Sequence, residues 1–149
     1  MRAVIQRVSR ASVKVEDTIA GSIEKGFVVL LGVEEGDTQQ DIAYICQKIA
    51  HIRVFEDDAR KMNLGLADVD GELLIVSQFT LLGDARKGRR PGFTAAAKPE
   101  LANAYYEAVC ADLRAQGFKV EQGVFQTDMQ VEIINDGPVT ILLDSRKLF

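Results

Sequence analysis

Four adjacent residues with side chains suited to hydrogen bonding or stacking follow directly after an apolar run. The run is ELLIV, residues 72–76, and the four are Ser77, Gln78, Phe79 and Thr80. A hydroxyl becomes an effective nucleophile only when a base takes its proton. No Asp or Glu flanks the stretch closely, apart from Asp84 in the following loop. Either the strand merely surfaces here, or a polar site opens at its end.

The other candidates for chemistry from histidine or metal are weak. His51 is the only histidine and falls at the end of a helical pattern, where a cationic side chain favours the helix C-terminus. The two cysteines, Cys46 and Cys110, fall on apolar faces of helical patterns and not in a CxxC motif, so we expect buried free thiols. We therefore expect no metal site and no cofactor.

A basic run interrupts a chain whose net charge is −4. It places four cations in five residues: Arg86, Lys87, Arg89 and Arg90. Such a run is either a solvated loop or a set of phosphate contacts, and the sequence favours neither. The Gly137-Pro138 pair suits close approach to a ligand, although a proline peptide by itself favours an ordinary trans turn.

The elements that would position these residues belong to one domain over residues 1–149, of the α/β class. Alternation predicts strands over 1–8 and 11–16, then GSI, 26–33 and a short strand at 51–55. Residues 56–70 are predicted as loop. ELLIVSQFTL is predicted as one strand, which would point Ser77 and Thr80, three residues apart, to opposite faces. Three more strands are predicted: FKVEQG, VFQTDMQVEII and PVTILLDS.

Two helices separate these strands. The first is predicted over 38–50, with Asp37 or Thr38 as the N-cap. The second should begin at Pro99 and end at Gly117. Its predicted buried stripe is Leu101, Ala104, Tyr105, Ala108, Val109 and Leu113. The order favours a largely antiparallel, barrel-like sheet with two helices packed on it. No signal-peptide core or membrane-length run appears, so the cytoplasm is the expected location.

Several motifs together resemble the D-aminoacyl-tRNA deacylases. They are IQRVSRASV near the start, KMN at 61–63, SQFTL at 77–81, RRPGF at 89–93 and DMQVEIINDGPVT at 128–140. The resemblance implies a homodimeric editing enzyme that hydrolyses the ester between a D-amino acid and the 3′-terminal adenosine of tRNA, a quality-control step in translation. The RNA's own 2′-hydroxyl would assist the reaction. Backbone N–H groups around Gln78 and Phe79 would hold the ester carbonyl.

The same resemblance assigns chiral rejection to Gly137-Pro138, as a Gly-cisPro motif that enters the partner subunit's site and excludes L side chains. Glycyl-tRNA should then also be accepted, because glycine has no side chain to exclude. Arg7 would support the turn. Two alternatives stay open: a noncatalytic RNA- or nucleotide-binding dimer that uses the basic run, and a hydrolase with Thr80 as the covalent nucleophile.

Overall fold

A computed structural model describes all 149 residues, and one long strand organises its sheet. Strand β1 spans Arg2–Val15, where the sequence predicted two strands. Alternation breaks in its middle, because Arg7 and Val8 are both buried and Ser9 and Arg10 are both exposed. The pairing of β1 with the last strand of the chain is irregular at Gln6–Val8 and again at Val8–Arg10, and these irregularities absorb the break. The strand therefore continues although its hydrophobic pattern stops.

Three antiparallel partners share the two edges of β1. Strands β2 (Thr18–Ile23) and β3 (Gly26–Gly32) pair with its C-terminal and N-terminal halves. On the other edge β1 pairs along nearly its whole length with the last strand, Gln130–Asp144. One central strand thus joins both ends of the chain in a single sheet.

Two parallel pairings complete the sheet. Strand β6 (Glu72–Ser77) lies parallel to β3, and β7 (Val120–Gln122) lies parallel to β6. The sheet then curves back on itself, since a Cβ built on Gly21 in β2 would lie 3.1 Å from Gln122 O in β7. The prediction of a barrel-like sheet is confirmed, and the sheet is mixed, with three antiparallel and two parallel pairings. One of the two helices lies in the chain between the members of each parallel pair, as a crossover connection requires.

Two helices pack against the sheet and each other. Helix α1 (Gln39–His51) begins after Thr38, whose hydroxyl accepts from Gln40 N while Asp41 completes a capping box. Helix α2 (Pro99–Ala115) begins at the predicted proline, and Gly117 follows it at φ +97°. Both helices and the inner face of the sheet supply a core cluster of 26 buried residues.

The buried face of α2 differs from the predicted stripe. Ala104 is exposed and Tyr105 is only half-buried, whereas Tyr106 and Cys110 are buried with Val109 and Leu113. The reason is that the Tyr106 hydroxyl reaches through the core to donate to Ile75 O at 2.8 Å. A tyrosine with a partner for its hydroxyl is as good a core residue as an aliphatic one.

Residues 56–70 are not the predicted loop. Strand β4 (Phe55–Glu56) pairs with β5 (Met62–Leu64) in a small hairpin, and a 3-10 helix follows at Ala67–Val69. The short strand predicted at 51–55 is misplaced, because His51 still belongs to α1. Both cysteines are free and buried, as predicted. None of the helices is long and apolar enough to span a membrane.

The last strand, β8 (Gln130–Asp144), corrects the largest error in the predicted topology. Residues 135–138 do not turn the chain between two strands; they bulge out of one continuous strand. Asn135 pairs with Val8 and Thr140 pairs with Gln6, so four residues of β8, 136–139, lie opposite Arg7 alone. The chain resumes the same direction after the bulge because both halves of β8 use the same β1 edge.

Candidate active site

A cleft of about 570 Å³ opens where β6 ends. Ser77, Gln78, Phe79 and Thr80 form one side of it. A second side comes from Phe93 and the segment that leads into α2, and a third from the segment after β7. The remaining lining residues are Val33, Ala96, Ala97, Lys98, Pro99, Ala102, Phe125, Gln126, Thr127 and Met129. The sequence motif SQFT therefore does line a cavity.

The conformation of that motif differs from the predicted strand. Strand β6 ends at Ser77, Gln78 is in a non-helical conformation, and Phe79–Leu82 form a 3-10 helix. Ser77 and Thr80 both line the cleft, so the expectation that they face opposite sides was wrong. The Thr80 hydroxyl accepts a hydrogen bond from Gln78 Nε2 at 3.1 Å. Its bonded neighbour is thus an amide, which cannot act as a base.

The backbone donors of the motif are only partly available. Gln78 N–H already donates to Leu31 O at 2.7 Å, so the donor expected at that residue is occupied. Phe79 and Thr80 begin the 3-10 helix, and the first N–H groups of a helix have no partner within it. These two amides are the ones that a ligand oxygen in the cleft can use.

Three phenylalanines give the cleft its aromatic character. Phe79 is 55% exposed, and its ring meets the Phe93 ring edge-on at 5.2 Å between centroids. Across the cleft, Phe125 lies 6.2 Å from the buried ring of Tyr106. Burial raises the pKa of Tyr106, which keeps its hydroxyl protonated as the donor to Ile75 O. An exposed ring beside a concave wall suits the face of a flat ligand.

Lys98 is the only charged side chain among the lining residues. It precedes the first residue of α2, is exposed, and forms no ion pair within the chain. Neither Asp, Glu nor His contributes to the cleft. His51 lies at the end of α1 beside a different surface hollow, with Gln47 and Leu143. The chain therefore supplies this cleft with a positive charge but with no carboxylate or imidazole base.

The basic run forms an exposed loop closed at its base. Asp84 and Gly92 exchange two backbone hydrogen bonds, at 2.8 and 2.9 Å. Arg86 donates to both carboxylate oxygens of Asp84, and these hydrogen bonds hold the pKa of Asp84 well below its usual range. The remaining three cations form no ion pair: Lys87, Arg89 and Arg90. The loop thus carries three free cations rather than the four counted in the sequence.

The bulge of β8 is held by two side chains. Buried Arg7 donates from Nε to Asp136 O at 3.0 Å and from Nη1 to Val54 O at 2.6 Å. The Asn135 side chain accepts from Val139 N at 2.8 Å, across the base of the bulge. The peptide bond between Gly137 and Pro138 is cis, not the trans form expected of an isolated Gly-Pro pair. Both residues are exposed, and neither lines the cleft of its own chain.

Sequence reasoning missed Lys98, Phe125 and Gln126 in the cleft and Asn135 in the bulge. Lys98 lies in a segment with no periodic pattern, and Phe125 and Gln126 lie in VFQTDMQVEII, which was predicted as a strand although the strand of the structure begins only at Gln130. Asn135 had a readable signal, because Asn side chains often bond to the backbone a few residues away in turns.

Comparisons with known proteins give matches over the whole chain or nearly so. The family model for D-Tyr-tRNA(Tyr) deacylase matches residues 4–144. The chain is 62% identical to a D-aminoacyl-tRNA deacylase of Anaeromyxobacter dehalogenans (strain 2CP-C), with 100% of both chains covered. It is 58% identical to one of Koribacter versatilis (strain Ellin345), again over 100% of both.

Solved structures extend the likeness to the whole fold. One, described as "c-Myc DNA Unwinding Element Binding Protein", has a TM-score of 0.90 and 41% identity, and covers 97% of this chain and 98% of its own. Another, described as a probable eukaryotic D-amino acid tRNA deacylase, has a TM-score of 0.81 at 17% identity, a likeness of fold alone, over 95% and 97% of the two chains. The chain belongs to the D-Tyr-tRNA(Tyr) deacylase family.

Proposed function

We propose that this protein is a D-aminoacyl-tRNA deacylase, which hydrolyses the ester of D-aminoacyl-tRNA to release free tRNA and the D-amino acid. The observation that carries the proposal is the cleft at the end of β6, with two free backbone amides on one side and exposed aromatic rings beside them. We place the activity in the cytoplasm, where aminoacyl-tRNA serves translation.

The reaction we propose needs no nucleophile from the protein. In ester hydrolysis, negative charge develops on the carbonyl oxygen, and we assign its stabilisation to the N–H groups of Phe79 and Thr80. One such donor lowers a barrier by about 3–4 kcal/mol in well-studied hydrolases. The 2′-hydroxyl of the terminal ribose assists the attack of water on the ester carbon. This step would otherwise need a base, and the chain supplies no carboxylate or imidazole to the cleft.

The substrate's RNA portion suits the remaining walls. The adenine of the 3′-terminal nucleotide stacks on the exposed ring of Phe79, which the Phe93 ring meets edge-on. Lys98 offers its charge to the phosphate that joins this nucleotide to the preceding one. The cations of the loop at 86–90 meet phosphates further along the acceptor stem. The overall charge of −4 makes such local cations necessary for binding a polyanion.

Chiral selection comes from the partner subunit in this proposal. Gly137 and Pro138 are exposed and stand apart from the cleft of their own chain, which is where a cross-subunit group has to lie. Their backbone carbonyls would occupy the space that an L side chain needs, while a D side chain points outward. Glycyl-tRNA is then hydrolysed too, because it has no side chain to be excluded.

The outer edge of β8 offers a surface for the homodimer. Strand β8 pairs only with β1, so its second edge is unpaired along 15 residues. Two large apolar side chains are exposed on it: Ile134 at 41% and Leu142 at 58%. An unpaired edge strand is a template for pairing with another chain, and exposed apolar side chains mark an interaction surface.

One matched assay tests the activity. Purified protein is incubated with D-Tyr-tRNA, L-Tyr-tRNA and Gly-tRNA, and released amino acid is measured. We expect rapid release from the D and glycyl substrates and little from the L substrate. A D-Tyr-tRNA whose terminal adenosine lacks the 2′-hydroxyl should react much more slowly. Binding without release would instead support the noncatalytic alternative, for which the name of the DNA-binding structural relative is a specific reason.

The dimer is tested separately. Light scattering at the assay concentration should give twice the chain mass of 16.4 kDa. A Leu142→Asp variant places a charge on the exposed edge and should yield monomers with little deacylase activity. A fully active monomer would refute the cross-subunit role of Gly137-Pro138.

A further inference from the structure

One residue of the cleft has an unusual backbone conformation. Gln126 lies at φ +58°, in the left-handed region that residues other than glycine and asparagine rarely adopt. It follows Phe125 and lines the cleft opposite the SQFT motif. Non-glycine residues held in this region cost free energy, and they concentrate at functional sites. The conformation therefore raises the question of what the glutamine side chain contributes.

The cleft contains six side chains that can form hydrogen bonds: Ser77, Gln78, Thr80, Lys98, Gln126 and Thr127. Gln78 and Thr80 bond to each other, and Thr127 Oγ1 donates to Val124 O at 2.9 Å. Ser77 lies at the end of β6, beside the amides assigned to the ester. The Gln126 amide has no hydrogen-bond partner in the chain, so both its carbonyl and its NH2 group are free for a ligand.

An unpaired amide beside aromatic rings matches the chemistry of adenine. Adenine presents the N6 amino donor and the N7 acceptor side by side, and a glutamine amide pairs with both at once. Its ring face stacks on phenylalanine while its edge takes the hydrogen bonds. Lys98 has no acceptor for the N6 amino group, and a hydroxyl cannot span both atoms in one plane.

We propose that Gln126 reads the N6–N7 edge of the tRNA's 3′-terminal adenine and so positions the ester against the Phe79 and Thr80 amides. This inference rests on the proposed deacylase function and adds a specificity residue to it. Because the contact is made to the base and not to the amino acid, it serves every D-aminoacyl substrate equally.

The test uses small esters that carry only the terminal nucleoside: D-tyrosyl-adenosine, its 7-deaza analogue, and its N6,N6-dimethyl analogue. Each change removes one partner of the glutamine amide. For the parent protein we expect kcat/KM to fall about 2- to 10-fold with the 7-deaza ester, the usual effect of losing one hydrogen bond. The dimethyl ester should also be a poorer substrate.

Two variants connect these losses to Gln126. Gln126→Gly removes the amide and suits a positive φ, so its thermal stability should equal or exceed the parent's. It should hydrolyse the adenosine and 7-deaza esters at equal rates. Gln126→Glu keeps an acceptor for N6 but loses the donor to N7, so it should remain sensitive to dimethylation while becoming insensitive to the 7-deaza change.

The outcomes separate a failure of this inference from a failure of the proposed function. A parent protein that hydrolyses none of these esters and no D-Tyr-tRNA refutes the proposed function itself. If the parent hydrolyses the adenosine ester and the 7-deaza ester equally well, the proposed hydrogen bond to N7 is refuted. If Gln126→Gly retains the parent's preference for adenosine over 7-deazaadenosine, another group reads the base and the inference is wrong.

Discussion

Substituting Gly137 with alanine tests the proposed chiral screen most directly, because the structure defines what the new methyl group meets. A Cβ at this position would lie 2.8 Å from Val139 Cγ2, 2.9 Å from Arg7 Nη2 and 3.1 Å from Val139 N. All three distances are shorter than normal carbon contacts. The residue also has a φ of +131°, where L side chains are strained. The bulge therefore has to move away from Arg7.

The size of the effect follows from these contacts. Strain of this kind costs about 1–3 kcal/mol of stability, and for a chain of this length each kcal/mol lowers Tm by roughly 2–4 °C. The activity should suffer more, because misplacing a positioning group by about 1 Å can cost 100-fold. We expect the ratio of the rates on D-Tyr-tRNA and L-Tyr-tRNA to fall by about tenfold or more.

The assay measures both rates for the parent, Gly137→Ala and a control, with circular dichroism and light scattering on each protein. Gly117→Ala is the matched control, since Gly117 also has a positive φ of +97° but no atom within 4 Å of its Cβ position. It should lose stability and keep the parent's ratio. If Gly137→Ala remains a folded dimer with an unchanged ratio, chirality is read elsewhere and this account of the bulge fails.

Thr80, the loop cations and the cysteines give three further tests. Thr80→Ala should retain activity within about tenfold of the parent, and a loss of several orders of magnitude in a folded protein would revive Thr80 as the nucleophile. Lys87, Arg89 and Arg90 are the three free loop cations. Neutralising them should reduce the slope of log binding constant for tRNA against log salt concentration by about 0.7–0.9 for each phosphate that is no longer bound. An unchanged slope would mean that the loop is only solvated. Burial raises the pKa of Cys46 and of Cys110 to about 12, so both thiols are neutral at pH 8. Ellman's reagent should therefore label neither thiol until the protein is denatured. Rapid labelling of the folded protein would contradict this prediction.

Local signals in the sequence located the helices and the cleft. Three residues mark the helix ends by effects that act within one helical turn: Thr38 caps α1, Pro99 lacks an N–H at the start of α2, and Gly117 takes a positive φ after α2. Such effects can be predicted without knowledge of the fold. The break in hydrophobicity at Ser77 likewise pointed to the cleft, although the strand was predicted to continue to Leu81 and ends at Ser77. A change from apolar to polar side chains at a strand end is a local event with a local cause.

The errors arose where the conformation depends on a distant partner. Asn135-Asp136-Gly137-Pro138 is excellent turn chemistry, and the sequence alone cannot show that the following strand returns to the same edge of β1. The face that α2 buries depends on Ile75 O as a partner for Tyr106. The 3-10 helix at Phe79 follows a turn at Gln78, whose N–H is held by Leu31 in the neighbouring strand.

Arg7 explains why the bulge depends on the whole fold. Its guanidinium is buried, and its two shortest bonds go to carbonyl oxygens of two separate segments, Asp136 in the bulge and Val54 before β4. The Asp136 carboxylate, 3.6 Å from Nε and half exposed, offsets part of the charge. A lysine side chain ends in a single nitrogen and lacks the planar, branched guanidinium group, so it cannot form both hydrogen bonds, to Asp136 O and to Val54 O, in this geometry. The position of Gly137 is therefore fixed jointly by β1, β8 and the β4–β5 hairpin, and a change in any one of them has to reach the residues that we propose enter the partner's site.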